Sequence, residues 1–307
     1  MRIAVLGAGA VGGYYGALLA RAGHEVGFVA RGQTLDAIRS RGLTVHSGLG
    51  NFTASVRAEA DPALLGGAEL AIVAVKTYSN PEALPLLRPL AGPETSVLTL
   101  QNGVDSADEV AAVVGERHVL AGATYIAASL AEPGVVEHVG TARRIVFGEA
   151  FGPPGVTPRV AAVAAVLAEA GVQVEAVDDC RVALWEKLIF LAPLAGTTAA
   201  ARLPVGPCWA DPAFREVTAR AMAEVEAVAR AEGIAVAPDV RDQKLRYLDN
   251  SPPTMRTSMM MDVVAGRPTE VEALLGAVVR RGRARGVATP AIETLHGVLR
   301  PLAGGRA

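Results

Sequence analysis

The chain has 307 residues, a formal net charge of −2, and an apolar fraction of 51%. That length suits two domains, and the composition can fill a sizeable core. Lysines and arginines are spread along the chain rather than clustered, which argues against a nucleic-acid or anionic-membrane surface.

The first half alternates short apolar runs with helical stretches. Strands are predicted over Arg2–Leu6, Glu25–Ala30, Leu70–Val75 and Ser96–Leu100, with a helix over Val11–Arg21. Later strands are predicted over Val119–Ala123, Val135–Val139 and Arg144–Phe147. A loop follows around Phe151–Pro158, then a helix over Arg159–Ala170 and a strand over Val172–Ala176. This alternation predicts an α/β, doubly wound parallel sheet of the Rossmann type. From Cys180 on, helical periodicity takes over, and helices are predicted over Val182–Leu191, Ala213–Glu232, Asp239–Leu248 and Thr269–Arg285. The expected division is a nucleotide-binding domain over 1–177 and an all-helical domain over 178–307. The apolar runs are broken by Gly, Pro or charge, so no membrane-spanning helix is expected. The opening Met1–Leu6 runs into a glycine loop without a signal-cleavage region, and Cys180 and Cys208 fit no metal spacing. A cytoplasmic protein with free thiols and no metal is the expectation.

Gly7-Ala8-Gly9-Ala10-Val11-Gly12 matches G-x-G-x-x-G, follows a predicted strand and opens a predicted helix. In that setting Gly7 permits a tight turn, Gly9 lets backbone approach a pyrophosphate, and Gly12 lets helix and strand pack closely. The helix N-terminus then offers N–H groups to the phosphates. Strand two ends in Phe28-Val29-Ala30-Arg31-Gly32, with Arg31 where NAD-binding versions carry a carboxylate. A guanidinium pairs bidentately with a 2′-phosphate, so NADP(H) is the expected cofactor rather than NAD(H).

Lys76 and Asn102 fall at predicted strand ends, where ligands of open α/β sheets bind. Position alone leaves each open between that role and a solvated lysine or an Asn-Gly turn. Lys187 shares a helix face with Leu184 and Leu191, three residues before and four after it. A lysine on such a face is either desolvated, which eases loss of its proton and suits a general acid, or snorkels at the stripe's edge. Glu270 sits in the first turn of a predicted amphipathic helix, a place the helix dipole alone explains.

Taken together, these residues resemble the ketopantoate reductase (2-dehydropantoate 2-reductase) family. The matching segments are the glycine loop, Arg31, Val75-Lys76, Leu100-Gln101-Asn102-Gly103, Leu184-Trp185-Glu186-Lys187-Leu188, Thr257-Ser258-Met259, Thr269-Glu270 and Arg281-Gly282-Arg283-Ala284-Arg285-Gly286, in order along nearly the whole chain. The resemblance implies a Rossmann and a helical domain with the active site between them, and reduction of the 2-keto group of ketopantoate by NADPH in pantothenate biosynthesis. It implies Lys187 as proton donor, with Glu270 positioning the cofactor or the lysine. Asn102 would contact nicotinamide and substrate, and Ser258 would bind substrate. Lys76 and the backbone at Ala128 would lie by the cofactor. A small 2-oxo acid is the implied partner, and helical second domains of this kind often form homodimers. The sequence departs from the family at Leu191, Ala195 and Val205, where asparagines usually hold the substrate's hydroxyl and carboxylate. Downstream of Asn102 the single further asparagine is Asn250. Thr197 or Thr198 is the expected substitute. The alternatives are a relative that reduces a more apolar 2-oxo acid or ketone, and a non-catalytic NADP(H) sensor.

Overall fold

In the computed structural model, which describes residues 1–305, β1 (Arg2–Leu6) shows how the sheet is built. Ile3 and Val5 point into one apolar cluster and Ala4 and Leu6 into another. A strand buried on both faces reads as a continuous apolar run, and β1 does. The same partition recurs in β6 (Ala68–Val73), where Leu70 and Ile72 face the first cluster and Ala71 and Val73 the second.

The remaining strands are β2 (Glu25–Val29), β3 (Leu43–Ser47), β4 (Phe52–Ala54), β5 (Arg57–Glu59), β7 (Ala91–Thr99), β8 (Val119–Glu132), β9 (Val135–Glu149) and β10 (Gln173–Ala176). Their order is β4-β3-β9-β8-β7-β6-β1-β2-β5, with β10 also paired to β9. The pairs β1–β2, β1–β6, β6–β7 and β7–β8 are parallel. The chain runs outward from β1 in both directions, so the strand order reverses there, and ligands of open α/β sheets bind beyond the carboxyl ends of strands at such a switch point. Helix α1 (Ala10–Arg21) covers one face through the buried Tyr14, Tyr15, Leu18 and Leu19.

The outer part of the sheet is mixed rather than purely parallel, because β8 and β9 form a long antiparallel hairpin and β3 pairs antiparallel with β4. The two strands predicted over Val135–Val139 and Arg144–Phe147 are the two halves of β9. The pairing with β8 jumps from Arg143 to Val139, and Gly140 in the skipped stretch has φ +77°. One half pairs with β3 and the other with β10.

The chain divides into two compact units. The first holds Met1–Gln101 and Ser106–Ala183, and the second holds Asn102–Asp105 and Leu184–Ala307. Besides α1, the first unit carries α2 (Gly32–Arg41), α3 (Asn80–Ala83), α4 (Ser106–Val114) and α5 (Pro158–Glu169). The second is helical: most of α6 (Cys180–Ala201), then α7 (Val205–Trp209), α8 (Pro212–Ala231), α9 (Val240–Asp249), α10 (Ser258–Val264), α11 (Ala277–Arg285) and α12 (Pro290–Leu299). Helix α6 runs ten residues past its predicted end at Leu191. Pro193 lies inside it, and the buried Leu194, Ala195 and Ala199 hold the extra turns in place. With 22 residues it meets the length and composition of a membrane span, but 61% of the span-length window is buried inside the protein. Its core position accounts for its apolar character. The helix predicted over Thr269–Arg285 begins only at Val271, with a π turn at Glu272–Gly276 leading straight into α11, so Glu270 precedes the helix instead of lying in its first turn.

Candidate active site

In the first unit the glycine loop joins β1 to α1. Gly7 has φ +107°, and a Cβ there would stand 2.8 Å from Val75 Cγ1. A Cβ on Gly12 would fall 2.1 Å from the Gly7 carbonyl oxygen. Both positions are therefore closed to larger residues by the protein itself. Gly9 differs, since no protein atom lies within 4 Å of its Cβ position. The open side of the loop is thus at Gly9, the N-cap of α1, where no side chain caps the helix and no acidic residue lies in the first turn. The N–H groups around Ala8, Ala10 and Val11 and the positive helix end suit a phosphate there. This cradle fits a dinucleotide pyrophosphate.

Arg31 follows the carboxyl end of β2 and is the N-cap of α2. It pairs with Glu82 at 3.5 Å, with both side chains mostly exposed. Such a pair is weak, so the guanidinium remains available to a 2′-phosphate. Lys76 lies three residues past the end of β6 and precedes a short turn at Thr77–Ser79. Ala128 lies on β8 opposite His138, seven residues beyond the last pair of β8 with β7. A feature not anticipated from sequence is a buried amide network at the ends of β6 and β7. Gln101 Nε2 donates to the Val75 carbonyl (2.8 Å) and to Asn80 Oδ1 (2.6 Å), and Asn80 Nδ2 donates to Glu109 (2.6 Å). It ties together the chain segments that follow those two strands.

The second unit brings three of the predicted residues into one chain of hydrogen bonds. Lys187 Nζ on α6 donates to Asn102 Oδ1 (2.9 Å), and Asn102 Nδ2 donates to Glu270 Oε2 (3.3 Å). An ammonium only donates and a carboxylate only accepts, so this amide orientation is the one that satisfies both neighbours. Glu270 is buried two residues before the π turn, its carbonyl accepting from the Leu274 N–H (3.0 Å). Burial pushes the Lys187 ammonium down from the ordinary 10.5 to about 8, and Glu270 pulls it partly back up. Desolvation disfavours the charged form and the carboxylate favours it.

Ser258 opens α10 directly after the N-cap Thr257. Ala195 and Val205 are buried and Leu191 is half-buried. Lys187, Leu191 and Ala195 follow at intervals of four on α6 and share a face. Thr197 and Thr198 do not replace the missing amides on that face. Thr197 Oγ1 donates to the Pro193 carbonyl (2.8 Å), and Thr198 Oγ1 donates to the Leu194 carbonyl (2.6 Å) and bonds Thr257 Oγ1 (2.9 Å). Both are fully occupied inside the helix packing. Asn250 is exposed and caps the Arg246 carbonyl. Among the described residues no cluster of His, Cys, Asp or Glu has metal-binding geometry.

Comparison with known proteins identifies the family. The family described as "Ketopantoate reductase PanE/ApbA" matches residues 3–152, and its C-terminal counterpart matches residues 179–303. A 2-dehydropantoate 2-reductase from Archaeoglobus fulgidus is 34% identical, covering 99% of this chain and 98% of its own length. The crystal structure of a PanE/ApbA family ketopantoate reductase from Ralstonia eutropha JMP134 superposes with TM-score 0.90 at 37% identity, over 99% of this chain and 98% of that one. That of a 2-dehydropantoate 2-reductase from Geobacter metallireducens GS-15 gives 0.92 at 36%, over 98% and 99%. The chain therefore belongs to the ketopantoate reductase family of NADPH-dependent oxidoreductases.

Proposed function

We propose that this protein reduces the 2-keto group of 2-dehydropantoate to the alcohol pantoate, with Lys187 as the proton donor. The observation that carries the reading is the Lys187–Asn102–Glu270 chain, a lysine held by an amide that is itself held by a buried carboxylate. The relatives named 2-dehydropantoate 2-reductase support the substrate.

Bound NADPH supplies the hydride to the carbonyl carbon. The glycine loop at Gly7, Gly9 and Gly12 and the start of α1 would hold its pyrophosphate, and Arg31 its 2′-phosphate. Lys76 and the backbone at Ala128 would lie along it. As the carbonyl carbon is reduced, negative charge builds on the oxygen, and Lys187 delivers the proton there. With a pKa of about 8 the amine is mostly protonated at pH 7 yet gives up its proton far more readily than an ordinary lysine. Asn102 fixes the direction of the ammonium, and Glu270 keeps it charged. Ser258 would bind the substrate.

A specific observation favours a second substrate reading. The face of α6 that carries Lys187 continues as Leu191 and Ala195, and the neighbouring Thr197 and Thr198 hydroxyls are consumed by backbone carbonyls. A site bounded by these groups prefers a 2-oxo acid with an apolar tail over a hydroxylated one. NADPH oxidation measured with 2-dehydropantoate, 2-oxoisovalerate, 2-oxo-4-methylvalerate and a simple ketone separates the two. Preference for 2-dehydropantoate supports the first reading, and preference for 2-oxo-4-methylvalerate supports the second. Lys187→Ala is expected to bind NADPH normally and lose about 10²- to 10⁴-fold in kcat. Unchanged turnover in that variant would rule out the proton-donor role. Normal NADPH binding without turnover of any substrate by the unmodified protein would favour a sensor.

A further inference from the structure

The tetrapeptide Asn102–Asp105 packs with the helical unit and is gripped at three points along it. At its start, Asn102 meets Glu270. Next, Gly103 has φ +97°, and a Cβ there would stand 2.8 Å from the Ala273 carbonyl oxygen, so this backbone lies directly on the π turn. At its end, Asp105 is clamped by two arginines. Arg281 Nε donates to Oδ1 (2.8 Å) and Arg280 Nη2 donates to Oδ2 (3.0 Å). Each carboxylate oxygen thus has its own guanidinium. The arginines are fixed in turn, Arg281 by Glu232 (3.4 Å) and Arg280 by Glu272 (3.3 Å). Asp105 and Arg281 are each only about a quarter exposed, which makes theirs the most shielded pairing in this network after Glu232.

Gly103 touches the π turn through backbone alone, with no side chain to lock its rotation. Left-handed glycine backbone tolerates wide rotation, and Asn102 is attached directly to it. A segment with such a hinge keeps an amide at 2.9 Å from a lysine only if both flanks are anchored. Gln101 is anchored in the amide network of the first unit, and Asp105 supplies the other anchor. We propose that Asp105, acting through Arg281, is the positioning residue that sets the Asn102 amide against Lys187. The inference rests on Lys187 being the proton donor, but its signature on Lys187 is measurable without any substrate.

The test uses Asp105→Asn in the full-length protein, with Asp105→Glu as the conservative variant. In Asp105→Asn, kcat is expected to fall about ten- to a hundredfold through misplacement of the donor, with the Kd for NADPH unchanged. The titration of Lys187 is followed by the pH dependence of its acetylation by acetic anhydride, read by mass spectrometry. Its midpoint is expected to fall, because an ammonium that loses its acceptor is less favoured. Glu270, the carboxylate that acts on Lys187, is left in place by the substitution. Asp105→Glu restores part of both effects. In an Asn102→Ala background, Asp105→Asn adds nothing further, since the two act through one contact. Arg281→Lys keeps the charge and loses the forked grip, and it should give the same changes in smaller degree if Asp105→Asn folds poorly. A lower Tm with kcat and the Lys187 titration both unchanged would overturn the proposal. So would effects of Asn102→Ala and Asp105→Asn that simply multiply. Should Lys187→Ala retain full turnover, the proton-donor reading fails by itself, and the acetylation midpoint still decides whether Asp105 fixes Asn102.

Discussion

Replacing Glu270 with glutamine keeps the size of the side chain and removes its charge. The Lys187 ammonium and the Glu270 carboxylate are bridged by one amide through hydrogen bonds of 2.9 and 3.3 Å, which puts the charges on the order of 5 Å apart. At an effective dielectric of about 20, such a pair interacts by about 3 kcal/mol, or about two pKa units. Lys187 keeps part of its surface accessible, and solvent screening reduces the net effect to about one unit. The sign follows from the carboxylate's upward pull on the lysine. Without it, the pKa falls from about 8 to about 7. A proton donor must be protonated, so the alkaline limb of kcat/KM should move down by the same amount. At pH 8 the protonated fraction drops from about one half to about a tenth, a loss of about fivefold, whereas at pH 6 the two proteins should differ little. The assay is steady-state NADPH oxidation over pH 5.5–9.5, these being about the limits that bracket both midpoints. A Glu270→Gln profile that superimposes on that of the unmodified protein, or a limb that moves upward, would refute the electrostatic role.

Three further outcomes are expected. Gly9→Ala should fold with an unchanged Tm and bind NADPH at least about tenfold more weakly, because its Cβ enters the open side of the loop, where the proposed pyrophosphate would lie. Gly12→Ala should instead destabilise the protein by about 1–3 kcal/mol or more, the scale of overpacking, since its Cβ collides with the Gly7 carbonyl; equal Tm values for the two would contradict the packing argument. Arg31→Ala should raise the Kd for NADPH about tenfold while leaving NADH binding and Tm nearly unchanged, as for loss of an exposed charge-assisted contact; calorimetric titration with both nucleotides checks this. Lys187 has a lowered pKa in the fold, so the unfolded chain holds its proton more tightly and the charge costs stability below about pH 8. Lys187→Met is accordingly expected to raise stability at pH 7 by about 1–3 kcal/mol in urea melts, with the gain shrinking as pH rises toward 10.5.

The legible parts of this fold are those where local chemistry and tertiary role agree. The run Arg2–Leu6 followed by three spaced glycines specifies a strand, a turn and a helix with little freedom, and each glycine meets a distinct constraint in the structure. Lys187 announced itself because a charge amid Trp185, Leu188 and Ile189 needs a reason to be there. The short outer strands β3, β4 and β5 were missed for the opposite reason. Leu43–Ser47 and Arg57–Glu59 carry more polar than apolar residues, and what fixes them is pairing with distant partners: β9 in one case and β2 in the other. Pro193 concealed the second half of α6, because a helix-breaking residue was overridden by burial on both sides of it. Asp105 carried no local signal at all. Its partners lie about 175 positions along the chain, and only the folded structure brings them together.

The way Lys187 is supported bears on how one scaffold serves different substrates. Helix α6 contributes the lysine, but the groups that orient and charge it, Asn102 and Glu270, come from two other segments. Leu191 and Ala195 lie on the same face of α6, one and two turns further on, and make none of these hydrogen bonds. Changing them alters what the lysine's surroundings accept without disturbing the lysine's proton. The reverse does not hold, because moving Asn102 or Glu270 changes the acid for every substrate alike. On the proposed roles, proton delivery depends on contacts between segments, while selectivity depends on single positions along one helix. A chain that keeps Lys187, Asn102 and Glu270 while carrying Leu191 and Ala195 in place of amides can shift its substrate and retain its chemistry. Leu191→Asn tests this directly: it should change the ratio of kcat/KM between 2-dehydropantoate and 2-oxo-4-methylvalerate and leave the alkaline limb at about pH 8. A shift of that limb would show that selection and proton transfer are not separable here.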